Sequence, residues 1–315
     1  MARLYRVCSA QLSALRTRGH DPEAIRYLNA LCLRAYTRLQ VPPPREQRVR
    51  GFFMADLPKV LAATAWLQAI VAMLMLTGFL AGAAIVAENP AAAYECITFY
   101  PSGRLETLIE SREAREAFLE RKPMAFEIKS IFSAALFTHN MSVGMLSFAT
   151  GVLAGIPTLL LVFYNGLGLG AFAWVFSRDS LWLVFWAWLL PHAIPELLAV
   201  TLCSTAGLVI GKAVVAPGRQ RMTEALRAAA APSLELVAAA VPLFIVAAMT
   251  ESFLRQSTVS TAFRFAAAAT ALFAIGAYGR YVFKIAKQPP PPDLEWLVRS
   301  VPLRESQGSG SVPGW

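Results

Sequence analysis

The chain has 315 residues, of which 56% are hydrophobic and only 16% charged, with a mean hydropathy of +0.49. That balance excludes an ordinary soluble enzyme and selects a multi-span membrane protein. The net charge of +9 comes without aromatic interleaving or a nucleic-acid fold signature, so it reads as a topological signal, Lys and Arg collecting on the cytoplasmic side, and no nucleic acid is expected as a partner.

Residues 1–59 read as an extramembrane helical segment on the cytoplasmic side. Arg3, Arg6, Arg16 and Arg18 are followed by no apolar run, so no cleavable signal peptide is expected. Asp21-Pro22 is a helix start, and from there Ile25, Leu28, Leu31, Cys32 and Ala35 share one face opposite Arg26, Arg34 and Arg38. Pro42, Pro43 and Pro44 end this helix. The pattern predicts a helical hairpin lying on the membrane or on the bundle, with a partner-docking surface as the alternative. Cys8, Cys32, Cys96 and Cys203 lack CxxC spacing and give neither a zinc site nor a disulfide framework.

The first span is predicted at 60–87. Residues 88–130 are extracytoplasmic in this reading and carry eight Glu, four Arg and two Lys. One charged helix is expected around 104–121, with Arg112 and Glu116 paired at i,i+4, then an interfacial run through Phe126, Ile128, Ile131 and Phe132 after Pro123. Met141 to Phe176 has no charge and as one helix would measure about 54 Å, against a hydrocarbon core of about 30 Å. Two spans joined at Gly155-Ile156-Pro157 are therefore predicted. The two-span arrangement also puts 20 of the 29 Lys and Arg on one side, as the positive-inside rule asks.

Residues 131–212 then hold the second to fourth spans. The fourth is expected to be broken by Pro191 and Pro195, with His192 and Glu196 at the break. A cytoplasmic loop at 213–232 precedes two further spans within 233–285, and the tail 286–315 is expected to be disordered. The fold class is thus an all-α integral membrane protein of about six transmembrane helices, multi-pass in the inner membrane, with both termini cytoplasmic.

Polar groups inside lipid are costly and usually face other helices or a wet cavity. Five stand out: His139, Asn140, Asn165, His192 and Glu196. Thr138-His139-Asn140 reads as an interfacial cap, Asn165 as an interhelical hydrogen bond or a polar lining, and His192 with Glu196 as a structural pair at a helix break or a proton or metal site. Two side chains are too few for zinc, and His139 is the candidate third ligand. Glycines four apart at Gly78/Gly82, Gly151/Gly155, Gly166/Gly170 and Gly207/Gly211 suit close helix packing, with self-association into a homo-oligomer as the alternative. No HExxH, GxSxG, P-loop or Rossmann fingerprint occurs, so no catalytic residue, metal or cofactor is expected.

In order along the chain, Phe137, His139-Asn140, Gly151, Gly155, Thr158, Asn165-Gly166, Gly170, Pro191-His192-Ala193-Ile194-Pro195-Glu196-Leu197 and Ala206-Gly207-Leu208 resemble the stage II sporulation protein M family. The N-terminal part, through Leu28-Asn29-Ala30-Leu31, Arg34-Ala35, Phe52-Phe53 and Leu57-Pro58, is similar to its longer members outside spore-formers. The resemblance implies a non-enzymatic membrane protein, a scaffold in a cell-envelope assembly. Its implied partners are membrane lipid and other envelope membrane proteins, with a peptidoglycan hydrolase or a MoxR-type AAA ATPase as candidates. A transporter or channel subunit with a path at Asn165, His192 and Glu196 is the alternative. An intramembrane metalloenzyme using His139, His192 and Glu196 ranks last.

Overall fold

The structure is a computed structural model that describes residues 2–18, 22–39, 45–98, 102–120, 126–218, 220–254 and 259–298. The described residues are mostly helical and include no strand, as lipid demands of a chain whose backbone groups must all be satisfied internally. The chain divides at Ala55 into two units.

The N-terminal unit holds α1 (Ala2–Arg18), α2 (Pro22–Leu39) and α3 (Arg45–Gly51), followed by a π-helical turn at Phe52–Asp56. The first two form the expected hairpin. Leu12 and Cys32 are buried between them, and Arg16 donates to the Asn29 side-chain oxygen at 3.1 Å. Pro42, Pro43 and Pro44 lie outside the described residues.

The second unit opens with α4 (Leu57–Ala63) and α5 (Ala65–Glu88). Thr64 separates them, its hydroxyl donating to the Val60 carbonyl at 2.7 Å, so the first long helix starts at Ala65. After a short α6 (Ala93–Cys96) come α7 (Ser102–Glu110) and α8 (Arg112–Leu119). These replace the single charged helix expected at 104–121: Ser111 is extended and its hydroxyl accepts the Ala114 N–H, capping α8. Arg112 and Glu116 pair at 2.8 Å, and Pro123 lies outside the described residues.

Next come α9 (Phe126–Ala149) and α10 (Ile156–Ser177). Between them the chain turns through Ala154 (φ 58°) and Gly155 (φ 75°), and Pro157 sits in the first turn of α10, where its missing N–H costs nothing. The long helix α11 runs from Trp182 to Val215. It is continuous through Pro191 and Pro195, so the expected break is not an interruption. Each proline removes one backbone hydrogen bond, but α5, α9, α10, α12 and α13 all pack on α11 and hold it helical. Next, α12 (Met222–Met249) continues into a π-helical turn at Thr250–Leu254. It starts well before the expected Ser233, leaving most of 213–232 helical. Pro232 and Pro242 lie within it. The last long helix is α13 (Thr261–Ala286), capped by Ser260.

Among the described residues five helices, α5, α10, α11, α12 with its π turn, and α13, are long and apolar enough to cross a membrane. Helix α11 is the axis: 67% of its most apolar window is buried in protein, against 6% for α13, which stands at the edge. Helix α9 runs beside α11 and α12. Ser133 and Phe137 line a groove of about 320 Å³ with Ile245 and Met249, Gly144 meets Phe244 and Cys203, and Gly151 rests on Gly207.

The residues after α13 are not loose as far as 298. The chain folds back to α14 (Glu295–Val298), burying Leu294 and Leu297. Lys212 at the end of α11 donates to the carbonyls of Trp296 and Leu297 at 3.0 Å, and Trp66 at the start of α5 donates to Leu297 at 3.1 Å. The Lys212 ammonium also lies 5.2 Å from the Trp66 ring centre and 5.7 Å from that of Trp296. Two ends of the bundle are thereby defined: a ledge end with α7 and α8, and a strap end with 150–155 and this C-terminal strap.

Candidate functional site

Helix–helix contact in this unit rests on glycine. A Cβ at Gly78 would fall 2.2 Å from the Phe163 carbonyl oxygen, and one at Gly82 would fall 1.9 Å from that of Leu167. From the other side, Gly166 and Gly170 bear on the Met75 and Phe79 carbonyls at 2.1 and 1.9 Å. A second set joins the end of α9 and the turn after it to α11: a Cβ at Gly151 would fall 2.1 Å from the Gly207 carbonyl oxygen, one at Gly207 2.6 Å from that of Ser147, and one at Gly211 2.8 Å from the Gly155 nitrogen. All eight glycines singled out in the sequence thus have close neighbours inside the molecule. Near the second set, Thr158 donates to the Ser147 carbonyl at 2.8 Å, pinning the start of α10 to the end of α9.

His192 is buried on α11 with its ring edge-on to Trp188, centroids 5.5 Å apart. Glu196 is one turn further along the same helix face and partly buried. The structure adds a residue the sequence reading missed. Glu251, in the π-helical turn that ends α12, is buried, and its carboxylate lies within electrostatic reach of Glu196. Ser252 beside it is fully buried, and its hydroxyl has no hydrogen-bond partner among the described residues.

The neighbouring pair His139-Asn140 is split. Asn140 is buried, on the α9 face that carries Gly144 one turn later, whereas His139 is exposed. A step of about 100° per residue separates them, so His139 does not join His192 and Glu196. Among the described residues no group of three His, Cys, Asp or Glu is placed to hold a metal ion. Asn165 is partly buried on α10, next to the glycine face turned toward α5.

The ledge is built around two residues that composition alone did not mark. Arg115 of α8 is 3% exposed. It pairs with Asp179, its Nε donating to the carboxylate at 2.7 Å, and it also donates to the carbonyls of Leu108 and Ile109. Arg178 donates to the Ile109 carbonyl at 3.3 Å. Phe118, one turn after Arg115, enters an aromatic cluster with Phe172, Phe176 and Trp188, centroids 6.0, 5.4 and 5.2 Å away. Both helices are thus clamped to the turn between α10 and α11. Glu106, Glu110, Glu113 and Glu120 are left exposed. Glu113 is held below the usual carboxylate range, first by its own backbone N–H and then by the Ser111 hydroxyl, which donates to it at 2.8 Å.

Residues 1–40 match a domain of unknown function (DUF8413). No curated protein and no solved structure matches the chain. The family described as stage II sporulation protein M matches residues 71–255, more than half of the chain, from α5 through the π turn that carries Glu251. That span holds both glycine interfaces, the His192–Glu196 face and the clamped ledge, and the chain belongs to the stage II sporulation protein M family.

Proposed function

We propose that the chain is a non-enzymatic scaffold of the cell envelope, which docks partner proteins on the acidic ledge formed by α7 and α8. The observation that carries this reading is the clamp. A solvated charged loop has no need of a buried Arg115 on Asp179 or of Phe118 in an aromatic cluster. These contacts fix the helices that carry the exposed Glu106, Glu110 and Glu113, which suits repeated recognition of one partner surface. On this reading the protein sits in the inner membrane with six crossings, α9 the second, and the charge bias supports cytoplasmic termini: the strap end and the N-terminal unit carry most of the Lys and Arg. A peptidoglycan-remodelling enzyme at the ledge, or an AAA ATPase at the opposite face, is the partner class that the family resemblance suggests. The test is in-membrane crosslinking and mild-detergent recovery of the tagged protein, with and without residues 102–119. Loss of a reproducible partner from a variant that still inserts is expected. Recovery of the same partners without the segment overturns the assignment of the docking surface.

A second reading draws on Glu196 and Glu251. Two carboxylates within electrostatic reach of each other, on α11 and on the turn that packs against it, are chemically suited to share a proton or hold a cation on a transport path. Glu196→Gln and Glu251→Gln in proteoliposomes decide it. Unchanged proton and cation flux in both variants removes its support.

A further inference from the structure

The N-terminal unit is the most one-sidedly charged part of the chain: residues 1–55 hold ten Arg against one Asp and two Glu. Its hairpin uses one side of α2 for packing, around Cys32. The other side presents Arg26, Ala30, Leu33 and Arg34 in the open, with Tyr27 at its edge; Tyr27 and Leu33 are each 63% exposed. On α1, Leu4 and Val7 are exposed beside Arg6. Helix α3 buries nothing and shows Arg45, Arg48, Val49 and Arg50 to the outside. Single exposed apolar side chains are common, but here each of three successive helices sets one beside arginine.

These side chains are dispersed over three helices. A protein groove demands matched shape at a few anchors, whereas a fluid lipid interface has no shape to match and takes scattered Tyr, Leu and Val between basic residues. The chain itself supplies the tether. From α3 it passes through the π turn Phe52–Asp56 and α4 directly into the long apolar helix beginning at Ala65. Polybasic segments next to a span are drawn to anionic headgroups.

We propose that the N-terminal unit is a membrane-surface module that binds anionic phospholipid headgroups of the adjacent leaflet. The arginines of α2 and α3 meet the phosphates, and Tyr27, Leu33 and Val49 enter the interface. This assignment is independent of what docks on the ledge.

The test is hydrogen exchange on the full chain in two kinds of nanodisc, phosphatidylcholine alone and phosphatidylcholine with phosphatidylglycerol. Slower exchange of α2 and α3 is expected in the anionic discs only, and raised salt should abolish the difference. The variant Arg45→Glu/Arg48→Glu/Arg50→Glu changes side chains that bury nothing, so the hairpin should persist. At about fivefold per basic residue near the surface, loss of the three positive charges alone should weaken headgroup binding on the order of a hundredfold. Equal exchange in the two lipids overturns the proposal, as does protection that survives the triple reversal. Protection seen in native membranes but in neither disc assigns the surface to a protein instead and equally overturns it.

Discussion

Arg115 shows how much one side chain organises. It closes the α7–α8 corner through two carbonyls and ties that corner to the bundle through Asp179. Asp179→Asn would leave a buried guanidinium without its counter-ion, the expensive way to break such a pair. Because Asp179 keeps some solvent contact, with 22% of its side chain exposed, the expected local loss is about 2 kcal/mol. Hydrogen exchange of residues 102–119 should speed up accordingly, while the glycine-packed helices stay protected. Unchanged exchange in the ledge would show that Phe118 and its aromatic neighbours suffice. Glu113 gives a pH signature. Its folded pKa lies below the ordinary value, so its stabilisation of the α8 start is present above the unfolded carboxylate range. It is lost as pH falls through the lowered folded value. A ¹³C titration of the Glu113 carboxyl should report a depressed midpoint that moves back up in Ser111→Ala. At this scale the sequence revealed His192 and Glu196, because prolines flank them in an apolar run. It did not reveal Glu251, because a carboxylate near the apparent end of a span reads as the boundary. Only the packing of α11 against the turn after α12 makes it a neighbour of Glu196.

Helices in lipid gain little from burying apolar surface and rely on close contact, so the glycines decide which elements adjoin. Gly82→Ala would place a methyl group 1.9 Å from a backbone oxygen of α10, an overlap that no rotamer relieves. Separation of α5 from α10 is expected, with a loss of about 3 kcal/mol visible as a lower thermal midpoint in detergent. Gly276→Ala on α13 meets nothing within 4 Å and should be neutral, or stabilising by up to about 1 kcal/mol. Equal effects at the two positions would sink the packing role. The four-residue glycine spacing was legible in the sequence, and so was the α9–α10 turn, since the uncharged run from Met141 to Phe176 is too long for one span and Gly155-Ile156-Pro157 offers the place to fold it. The continuity of α11 was not. Proline chemistry is local and argues for a break, while the packing of five other helices that keeps this one helical is not written in its own residues. Likewise Ser111 as a cap is visible only once α8 is known to start there.

The charge bias, the clamp and the strap bear together on how the whole molecule sits in a membrane. Helix α9 carries Thr138-His139-Asn140 in its middle, which dilutes its apolar signal. Yet it extends from Ser133, opposite Met249, to the Gly151–Gly207 contact, a rise of about 27 Å at 1.5 Å per residue and close to the hydrocarbon thickness of about 30 Å. If it crosses, the turn at 150–155 lies on the same side as Lys212 and the strap, and the ledge lies opposite. Single cysteines at three exposed positions read this directly in a background with Cys8 replaced by Ser: Glu106→Cys on the ledge, Leu153→Cys in the turn and Gln220→Cys before α12. An impermeant maleimide on intact cells stripped of any outer barrier should label position 106 alone, with 153 and 220 reacting only after permeabilisation. Labelling of 153 together with 106 would mean that α9 returns without crossing. The side assignments of every later helix would then have to be reversed, against the excess of Lys and Arg at the strap end.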